Sequence, residues 1–268
     1  PATDGLLFPL LRMEELGITA IELDVRDRAL VHLTQTVNPD VVFHLAAQPI
    51  VSVGYADPYL TYSSNVLGVV NVLDGVRALQ KHVSVINVTT DKVYRNIEKP
   101  EAYLEDDELM GNDPYSSSKS CSELVTYAYR HSFFQNTEGP EGKLVSTCRA
   151  GNVIGGGDFA LNRIIPDMVR ALSEKKPVAI RNFDSIRPYE HVLDALYAYA
   201  LLAAKQWDDS TLVGAYNIGP NDESVMVTRE LTNIFRNTLN LRCWMNLVAG
   251  NLKRHIYFPL TVENFVRA

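Results

Sequence analysis

Short runs of β-branched residues alternate along most of this chain with longer stretches of helical periodicity. Val41 to Leu45 and Val83 to Val88 are nearly continuous apolar runs, typical of parallel strands that are covered on both faces. The same reading predicts strands at 21–25, 144–147, 178–180 and 216–218, and helices at about 28–37, 60–79, 115–134, 162–174 and 189–205. This alternation predicts an α/β fold with a doubly wound parallel sheet.

The alternation becomes less regular after Gly151, where a glycine cluster follows the predicted strand at 144–147. We therefore expect a Rossmann-like domain in residues 1–152 and a smaller substrate-binding lobe in residues 153–268. We expect that segments of that lobe can return to the main sheet. The tail beyond residue 242 has weak periodicity and supports no placement.

Composition excludes several classes of protein. A formal charge of −7 and a pI near 5.4 argue against nonspecific nucleic-acid binding, and no apolar run approaches the length of a membrane span. Three unpatterned cysteines and the lack of a signal-peptide pattern predict a cytoplasmic protein, and no metal site is predicted. The chain opens at Pro1, so it could be a fragment, a processed chain or part of a longer protein.

Tyr115 and Lys119 are the first candidates for chemistry. Their spacing of four residues, just after Pro114, places a phenol and an ammonium on one face of a helix. A nearby cation stabilises a phenolate, which can then remove a proton from an alcohol. The spacing is common by chance, and an ordinary surface helix is the alternative.

A polar segment, Thr89-Thr90-Asp91-Lys92, follows the predicted strand at 83–88. Ligands of open α/β sheets bind beyond the carboxyl ends of the strands, and the helix that carries Tyr115 should begin nearby. Thr90 could hydrogen-bond a reacting hydroxyl, while Asp91 and Lys92 supply a proton donor or acceptor and a cation. A simple polar turn is the alternative, but the two signals converge on one place.

Four further residues lie at or just after the ends of earlier predicted strands. Ala46 and Ala47 would let a flat ring approach the backbone, whereas the preceding His44 is more typical of a buried core histidine. Asp24 could accept a hydrogen bond from an adenine amino group or a ribose, or it could cap the next helix.

The glycine cluster at residues 151–157 does not read as a dinucleotide phosphate loop, because it follows the last strand of the first half rather than the first. A substrate-contacting loop with Asn152 as a donor fits better. Arg163 and Arg187 are candidates for gripping a diphosphate, since guanidinium groups bind phosphate through paired hydrogen bonds. Either arginine could instead be a surface charge.

Together these motifs resemble the extended short-chain dehydrogenase/reductase family of nucleotide-sugar enzymes. The resemblance rests on five segments, at 44–49 (HLAAQP), 90–92 (TDK), 113–119 (DPYSSSK), 149–158 (RAGNVIGGGD) and 186–188 (IRP). Within the family, Thr-Asp-Lys is most similar to the 4,6-dehydratases that act on CDP-glucose. The resemblance implies bound NAD, a nucleotide-sugar substrate and a homodimer formed through a bundle of the helices at about 60–79 and 115–134.

The resemblance also implies roles for these residues. Tyr115 would take the proton of the sugar C4 hydroxyl, Thr90 would hold that hydroxyl, and Lys119 would hold a ribose and lower the pKa of the phenol. Lys92 would assist removal of the C5 proton while Asp91 protonates the departing C6 hydroxyl. The implied cofactor contacts are Asp24, Val25, Leu45, Ala46, Ala47, Gln48, Asn65, Thr89, Tyr115 and Lys119, and the implied substrate contacts are Gln48, Asn152, Arg163 and Arg187.

Two features depart from the family pattern. The G-x-x-G-x-x-G loop and the first βαβ unit are expected before residue 21 and are not found, and the tail lacks the family's final motifs. We therefore expect these residues by themselves to bind NAD poorly. The open alternatives are another epimerase or dehydratase of the same fold, and an inactive truncated paralogue that acts as a binding protein.

Overall fold

The computed structural model describes residues 13, 15–99, 101–135, 142–174, 176–178, 180, 182–221 and 225–238. In chain order the helices are α1 (Ala29–Val37), α2 (Val51–Ala56), α3 (Pro58–Tyr62), α4 (Gly68–Arg77), α5 (Pro114–Ser132), α6 (Ile164–Ser173), α7 (Val192–Asp208) and α8 (Thr228–Thr238). The strands are β1 (Val41–His44), β2 (Val83–Val88), β3 (Lys143–Ala150), β4 (Asn152–Ile154), β5 (Ile186–His191), β6 (Ala215–Ile218) and β7 (Val225–Val227).

In the described part of the chain, β1, β2, β3 and β6 form a four-stranded sheet in that order, and every neighbouring pair is parallel. The predicted α/β fold with a parallel sheet is confirmed. A second sheet has the order β4-β5-β7, with β4 and β5 parallel and β5 and β7 antiparallel. Strand β6 therefore comes from the second half of the chain and lies in the first sheet. The domain boundary at residue 152 stays a prediction.

Apolar clusters cover both faces of the first sheet. On one face, Val83 and Val85 of β2 pack with Val69, Leu73 and Val76 of α4. On the other face, Ile86 packs with residues of α7, which include Ala195 and Leu202. Successive residues of a strand point to opposite faces, so β2 contributes to both clusters. Each fully buried Val, Leu or Ile stabilises the fold by about 1.5–3 kcal/mol.

Three predicted elements need correction. Residues 21–25 form no strand, because a strand needs a hydrogen-bonding neighbour and β1 pairs with β2 alone among the described strands. Val178 and Ile180 also lie outside any strand, and residue 179 is outside the described residues. The helix predicted from Tyr189 begins at Val192, because Tyr189 to His191 pair with β4.

The long helix predicted at 60–79 is present with an irregularity. A π-helical turn, Ser63–Leu67, connects α3 to α4. Such turns insert an extra residue into the helical repeat and are frequent at functional sites. Among the residues described, none of the helices combines the length and the hydropathy needed to cross a membrane.

Candidate active site

The end of β2 leads directly into the segment that carries the predicted chemistry. After Val88 the chain passes through Thr89 and Thr90 and enters a short 3-10 turn, Asp91–Val93. The Thr90 hydroxyl accepts a hydrogen bond from the Lys92 amide at 3.5 Å and so caps this turn. Thr90 and Asp91 are 4% and 2% exposed. The turn therefore presents polar side chains in a closely packed setting.

Helix α5 begins beside this turn. The Asp113 carboxylate accepts hydrogen bonds from the Tyr115 and Ser116 amides, both at 3.1 Å, and Pro114 occupies the first helical position. Gly111 lies just before this cap, and a Cβ at Gly111 would lie 2.3 Å from the Ser116 carbonyl carbon. A capped start and a close backbone contact thus fix Tyr115 in the first turn of the helix.

The predicted catalytic residues converge at this point. The Thr90 side chain lies near enough to the Tyr115 phenol to lower its pKa. The Thr90 hydroxyl also donates to Asp91 Oδ1 at 2.9 Å, and Lys92 Nζ donates to the same oxygen at 2.7 Å. Lys92 Nζ lies 3.4 Å from Asn152 Oδ1, which brings the glycine-rich loop into contact with the turn.

Burial is the largest influence on the pKa values of both Tyr115 and Lys119. Burial raises the pKa of Tyr115 to about 12, although the Thr90 side chain opposes this rise. Lys119 Nζ donates to the Val88 carbonyl at 3.0 Å, and the lowering of the phenol's pKa by Lys119 stays a prediction. Burial lowers the pKa of Lys119 to about 8, and the charge of Glu123 opposes this fall. Lys119 is therefore a cation that readily gives up its proton.

Asn65 connects the segment that follows β1 to helix α5. Its carboxamide accepts from the Gln48 amide at 2.7 Å and donates to the Ser118 hydroxyl of α5 at 2.8 Å. It sits in the π-helical turn, and its own carbonyl accepts from Ser122 at 2.7 Å. Asn65 therefore holds the segment after β1 against the helix that carries Tyr115, which the family resemblance alone did not explain.

Of the predicted ligand contacts that follow β1, some side chains are exposed to solvent and one is hydrogen-bonded within the protein. Leu45 and Ala46 are exposed, and Ala47 is half-buried. The Gln48 side chain donates to Thr61 at 2.7 Å and accepts from the Ile50 amide at 2.7 Å, so it shapes the loop. Its predicted contacts with cofactor and substrate remain untested.

His44 matches the expectation of a buried core histidine. It is 5% exposed, and burial lowers its pKa to about 3, with a smaller effect from the Lys119 charge. The imidazole is therefore neutral at physiological pH. A neutral, buried ring at the end of β1 packs the sheet without adding charge beside Lys119.

Asp24 and Val25 lie in the loop before α1. Hydrogen bonds from Arg26 hold the pKa of the exposed Asp24 carboxylate at about 2. Asp27 rather than Asp24 accepts from an amide of the following helix, so the capping alternative for Asp24 is wrong. The Val25 carbonyl accepts a hydrogen bond from Asn71 of α4 at 2.8 Å, which anchors the loop to that helix.

The two predicted phosphate-binding arginines occupy different surroundings. Arg163 precedes α6, lies 3.8 Å from Asp158 and is near enough to Tyr115 for its charge to lower the phenol's pKa. Arg187 lies in β5, where its Nη1 donates to the Ile186 carbonyl at 3.0 Å. The structure thus brings Arg163 towards the Tyr115 side chain, whereas Arg187 lies on β5 in the second sheet.

Sequence reasoning missed three buried charged residues near this site. Glu123 and Arg149 form an ion pair at 2.9 Å, and each is 4% exposed. Burial raises the pKa of Glu190 to about 8, the Gly151 amide opposes this, and the charges of Asp91 and Asp194 raise it further. The available signal was a carboxylate four residues after Lys119, together with a charged residue inside each of the strands β3 and β5.

Comparisons with known proteins point to one group of enzymes. A family model described as GDP-mannose 4,6 dehydratase matches residues 10–240. A CDP-glucose 4,6-dehydratase from Salmonella typhimurium is 41% identical over 220 residues, which are 81% of this chain and 61% of that protein. A UDP-glucose 4-epimerase from Mycoplasma pneumoniae is 30% identical over 218 residues, which are 74% of this chain and 61% of the relative. The chain therefore spans less than two thirds of the length of these relatives.

Solved structures share the fold. A dTDP-glucose 4,6-dehydratase from Streptomyces venezuelae, solved with NAD bound, has a TM-score of 0.77 at 22% identity, covering 97% of this chain and 76% of that one. The UDP-glucose 4-epimerase from Thermus thermophilus in complex with NAD has a TM-score of 0.77 at 23% identity, covering 93% and 79%. At these identities the likeness shows the Rossmann-like fold.

Proposed function

The chain belongs to the GDP-mannose 4,6-dehydratase family, and on this premise we propose that the full protein is a nucleotide-sugar 4,6-dehydratase. CDP-glucose is the proposed substrate and its 4-keto-6-deoxy derivative the product, a choice that the 41% identity to a CDP-glucose 4,6-dehydratase supports. The observation that carries the proposal is one contiguous network. Hydrogen bonds join Thr90 to Asp91 and Asp91 to Lys92, and the Tyr115 phenol lies near enough to Thr90 for that side chain to lower its pKa.

NAD is the proposed cofactor, and the described residues suit its nicotinamide riboside end. Tyr115 and Lys119 lie at the carboxyl edge of a parallel sheet, where such ligands bind. The small side chains of Ala46 and Ala47 leave room for a flat ring at the neighbouring strand end. The exposed Asp24 carboxylate is available to ribose hydroxyls. When bound, NAD supplies reversible acceptance of a hydride.

In the proposed oxidation, Tyr115 removes the proton of the sugar C4 hydroxyl while Thr90 hydrogen-bonds the same oxygen. Because burial raises the pKa of Tyr115 to about 12, only a small fraction of the phenol is ionised near neutral pH. If the reaction also needs the cationic form of Lys119, whose pKa is about 8, the rate should rise with pH and level off above about pH 8, because the growing phenolate fraction is then offset by loss of the Lys119 proton.

The elimination needs an acid and a base side by side. Transfer of one proton across the 2.7 Å hydrogen bond from Lys92 to Asp91 converts the ion pair into a neutral amine and a carboxylic acid. The amine can then accept the C5 proton, which the 4-keto group has made acidic. The carboxylic acid protonates the C6 hydroxyl, which leaves as water. The hydride taken from C4 would then return to C6 and a proton would return to C5, which gives the 4-keto-6-deoxy product. The proton that Tyr115 took from the C4 hydroxyl balances the one that left with water.

The test uses the full-length protein with NAD and with CDP-, dTDP-, UDP- and GDP-hexoses in parallel. We expect a 4-keto chromophore with CDP-glucose, in preference to the other nucleotides. No chromophore with any of the four would contradict the dehydratase proposal. A strong preference for another nucleotide would retain the reaction and reject the substrate.

A 4-epimerase is the second candidate, because a UDP-glucose 4-epimerase is 30% identical to this chain. The two reactions share the C4 oxidation but only dehydration needs the Asp91–Lys92 pair. Asp91→Asn and Lys92→Gln should each abolish dehydration and leave oxidation at C4 partly intact. Normal dehydration by both variants would remove Lys92 and Asp91 from the mechanism.

A homodimer is proposed on the basis of an apolar helical surface. Helices α3 and α5 pack side by side, and Tyr59, Leu67, Leu124 and Tyr127 on or beside them are 80%, 53%, 55% and 59% exposed. In a dimer, α3 and α5 of a second copy would pack against α3 and α5 of the first and bury this surface in a helical bundle. Sedimentation should give a dimer for the wild type and a monomer for Leu124→Glu/Tyr127→Glu.

The matched control is Leu193→Glu, since Leu193 is 65% exposed on α7, away from these helices. A dimeric double variant, or a monomeric wild type at micromolar concentration, would contradict the proposed interface. We also propose a cytoplasmic location, to which the free thiols of Cys121 and Cys148 are suited.

A further inference from the structure

A buried carboxylate lies one helical turn beyond Lys119. Glu123 accepts hydrogen bonds from the Thr89 hydroxyl, from the Thr147 hydroxyl at 2.8 Å and from Arg149 Nη2 at 2.9 Å. Three donors for one carboxylate satisfy most of its hydrogen-bonding capacity. Burial lowers the pKa of Arg149, but its hydrogen bond to Glu123 and the charge of Glu123 raise it overall, so the guanidinium stays charged.

The partners of this ion pair lie at both ends of the catalytic segment. Thr89, which contacts Glu123, immediately precedes Thr90. At the other end, Arg149 Nη1 donates to the Tyr94 hydroxyl at 2.8 Å, and Tyr94 immediately follows the Asp91–Val93 turn. The ion pair therefore tethers residue 89 and residue 94, and the reacting side chains of residues 90–92 lie between the two tethers.

Glu123 also sets the electrostatic surroundings of Lys119. Its charge opposes the effect of burial on the Lys119 ammonium. His44 on β1 also interacts with the Lys119 charge, and its pKa of about 3 leaves it neutral. Arg149 on β3 and Arg130 on α5 are the cations that interact with Glu123. Loss of the carboxylate would leave Lys119 with no anionic neighbour among these groups.

Resting on the proposed function, we infer that Glu123 and Arg149 are positioning residues of the active site, which hold both ends of the segment Thr89 to Tyr94 and stabilise the cationic form of Lys119. A purely structural ion pair is the competing explanation, since many buried pairs can be replaced without loss of fold. The two explanations differ in what they predict for catalysis and for Lys119.

The principal test is Glu123→Gln in the full-length protein, with CDP-glucose and NAD. The amide keeps the shape of the carboxylate but removes its charge. We expect kcat to fall by about 10- to 100-fold with KM changed less than about threefold, because the tethers orient reacting groups rather than bind the sugar. The pH at which the rate stops rising, which is set by the pKa of Lys119, should move to a lower value.

A second readout needs no substrate or turnover. Heteronuclear NMR of labelled lysine follows the titration of Lys119 directly, and its pKa should fall by about one unit in Glu123→Gln. The control is Gln206→Leu, which disrupts a fully buried network with Ser84 and Ser146 away from the site. We expect Gln206→Leu to lose stability but to keep the wild-type kcat and Lys119 titration.

Unchanged kcat and an unchanged Lys119 titration in Glu123→Gln, or losses equal to those of Gln206→Leu, would overturn the inference. If Glu123→Gln does not fold, Thr89→Val is the test instead. It removes the hydrogen bond between residue 89 and Glu123 and keeps the charge of Glu123. A fall in kcat of more than about fivefold supports the inference, and an unchanged kcat overturns it. A wild type without dehydratase activity would reject the proposed function, while the Lys119 titration would still test the effect of Glu123.

Discussion

The ends of strands β1 and β2 lie side by side in one parallel sheet, yet they present opposite kinds of surface. His44 pairs with Asn87 at this edge. Beyond β1, the chain exposes apolar side chains, with Leu45 at 49% exposure. Beyond β2, it buries polar ones, with Asp91 at 2%. The exposed end is available to a ligand, whereas the buried end holds its reacting groups in place by hydrogen bonds within the protein.

This difference shows that the preorganised, hydrogen-bonded geometry lies at the end of β2 and not at the end of β1. The proposed proton-transfer groups need fixed geometry, because small misplacements slow a reaction strongly. The proposed cofactor contacts need only an accessible surface of suitable shape. Substitutions at the β2 end should therefore change rate or stability strongly, and substitutions at the β1 end should change binding alone.

The largest effect is expected at the β2 end from Tyr115→Phe. Removing the phenol oxygen removes the proposed base while the ring continues to fill the buried site. We expect kcat for 4-keto formation to fall by about 1,000-fold with little loss of stability. Steady-state kinetics with CDP-glucose measures this, and a fall of less than tenfold would show that another group takes the proton.

A smaller effect, on stability, is expected from Gly111→Ala. The added Cβ would lie 2.3 Å from the Ser116 carbonyl carbon, so the start of α5 must move. We expect the free energy of unfolding to fall by about 2–3 kcal/mol, as in other overpacked sites. Urea denaturation measures this. The control is Gly219→Ala, where nothing lies within 4 Å of the added atom, and equal losses in the two variants would argue against the close contact.

Glu190 gives a prediction that depends on pH. Because burial raises its folded-state pKa to about 8 from an ordinary 4.5, the folded protein holds a proton that the unfolded chain has lost between these values. This contribution to stability is present below about pH 4.5 and is lost as the pH rises towards 8.

Glu190→Gln should therefore be more stable than the wild type by about 1–3 kcal/mol near pH 8, with a difference that shrinks towards pH 5. Urea denaturation at several pH values measures it. A difference that is the same at every pH would mean that Glu190 does not titrate in this range.

The smallest effect on stability is expected at the β1 side of the site. Asp24 and Arg26 form an ion pair whose side chains are 50% and 40% exposed, so Asp24→Asn should change the free energy of unfolding by less than about 0.5 kcal/mol. If Asp24 contacts ribose as proposed, the same variant should weaken NAD binding by about tenfold. Calorimetric titration of the full-length protein measures this, and unchanged affinity would remove Asp24 from the cofactor site.

Much of the sheet was predictable because its strands are nearly continuous apolar runs. Residues 83–88 lie in the first sheet, as this signal predicts, and so does the predicted strand at 216–218, which is not such a run. Residues 21–25 show the limit of the signal, since a strand exists only where another strand pairs with it. Helix α7 was placed too early because Tyr189 to His191 pair with β4, a contact that local periodicity does not encode.

The candidate site was predictable to a similar extent. Tyr115 and Thr90 were identified from positions at element ends, and the structure brings them close together. Their supporting groups were missed because their partners are distant in sequence. Glu123 meets Thr89 and Arg149 across separations of 34 and 26 residues, which no local pattern reveals.

The most direct test of the proposed reaction follows one hydrogen atom. The full-length protein is incubated with NAD and CDP-glucose that carries deuterium at C4, and the product is analysed by NMR and mass spectrometry. A 4,6-dehydratase predicts a 4-keto-6-deoxy sugar in which deuterium from C4 is found on C6. A product that keeps the C6 hydroxyl and carries deuterium at C4 would contradict dehydration and identify a 4-epimerase instead.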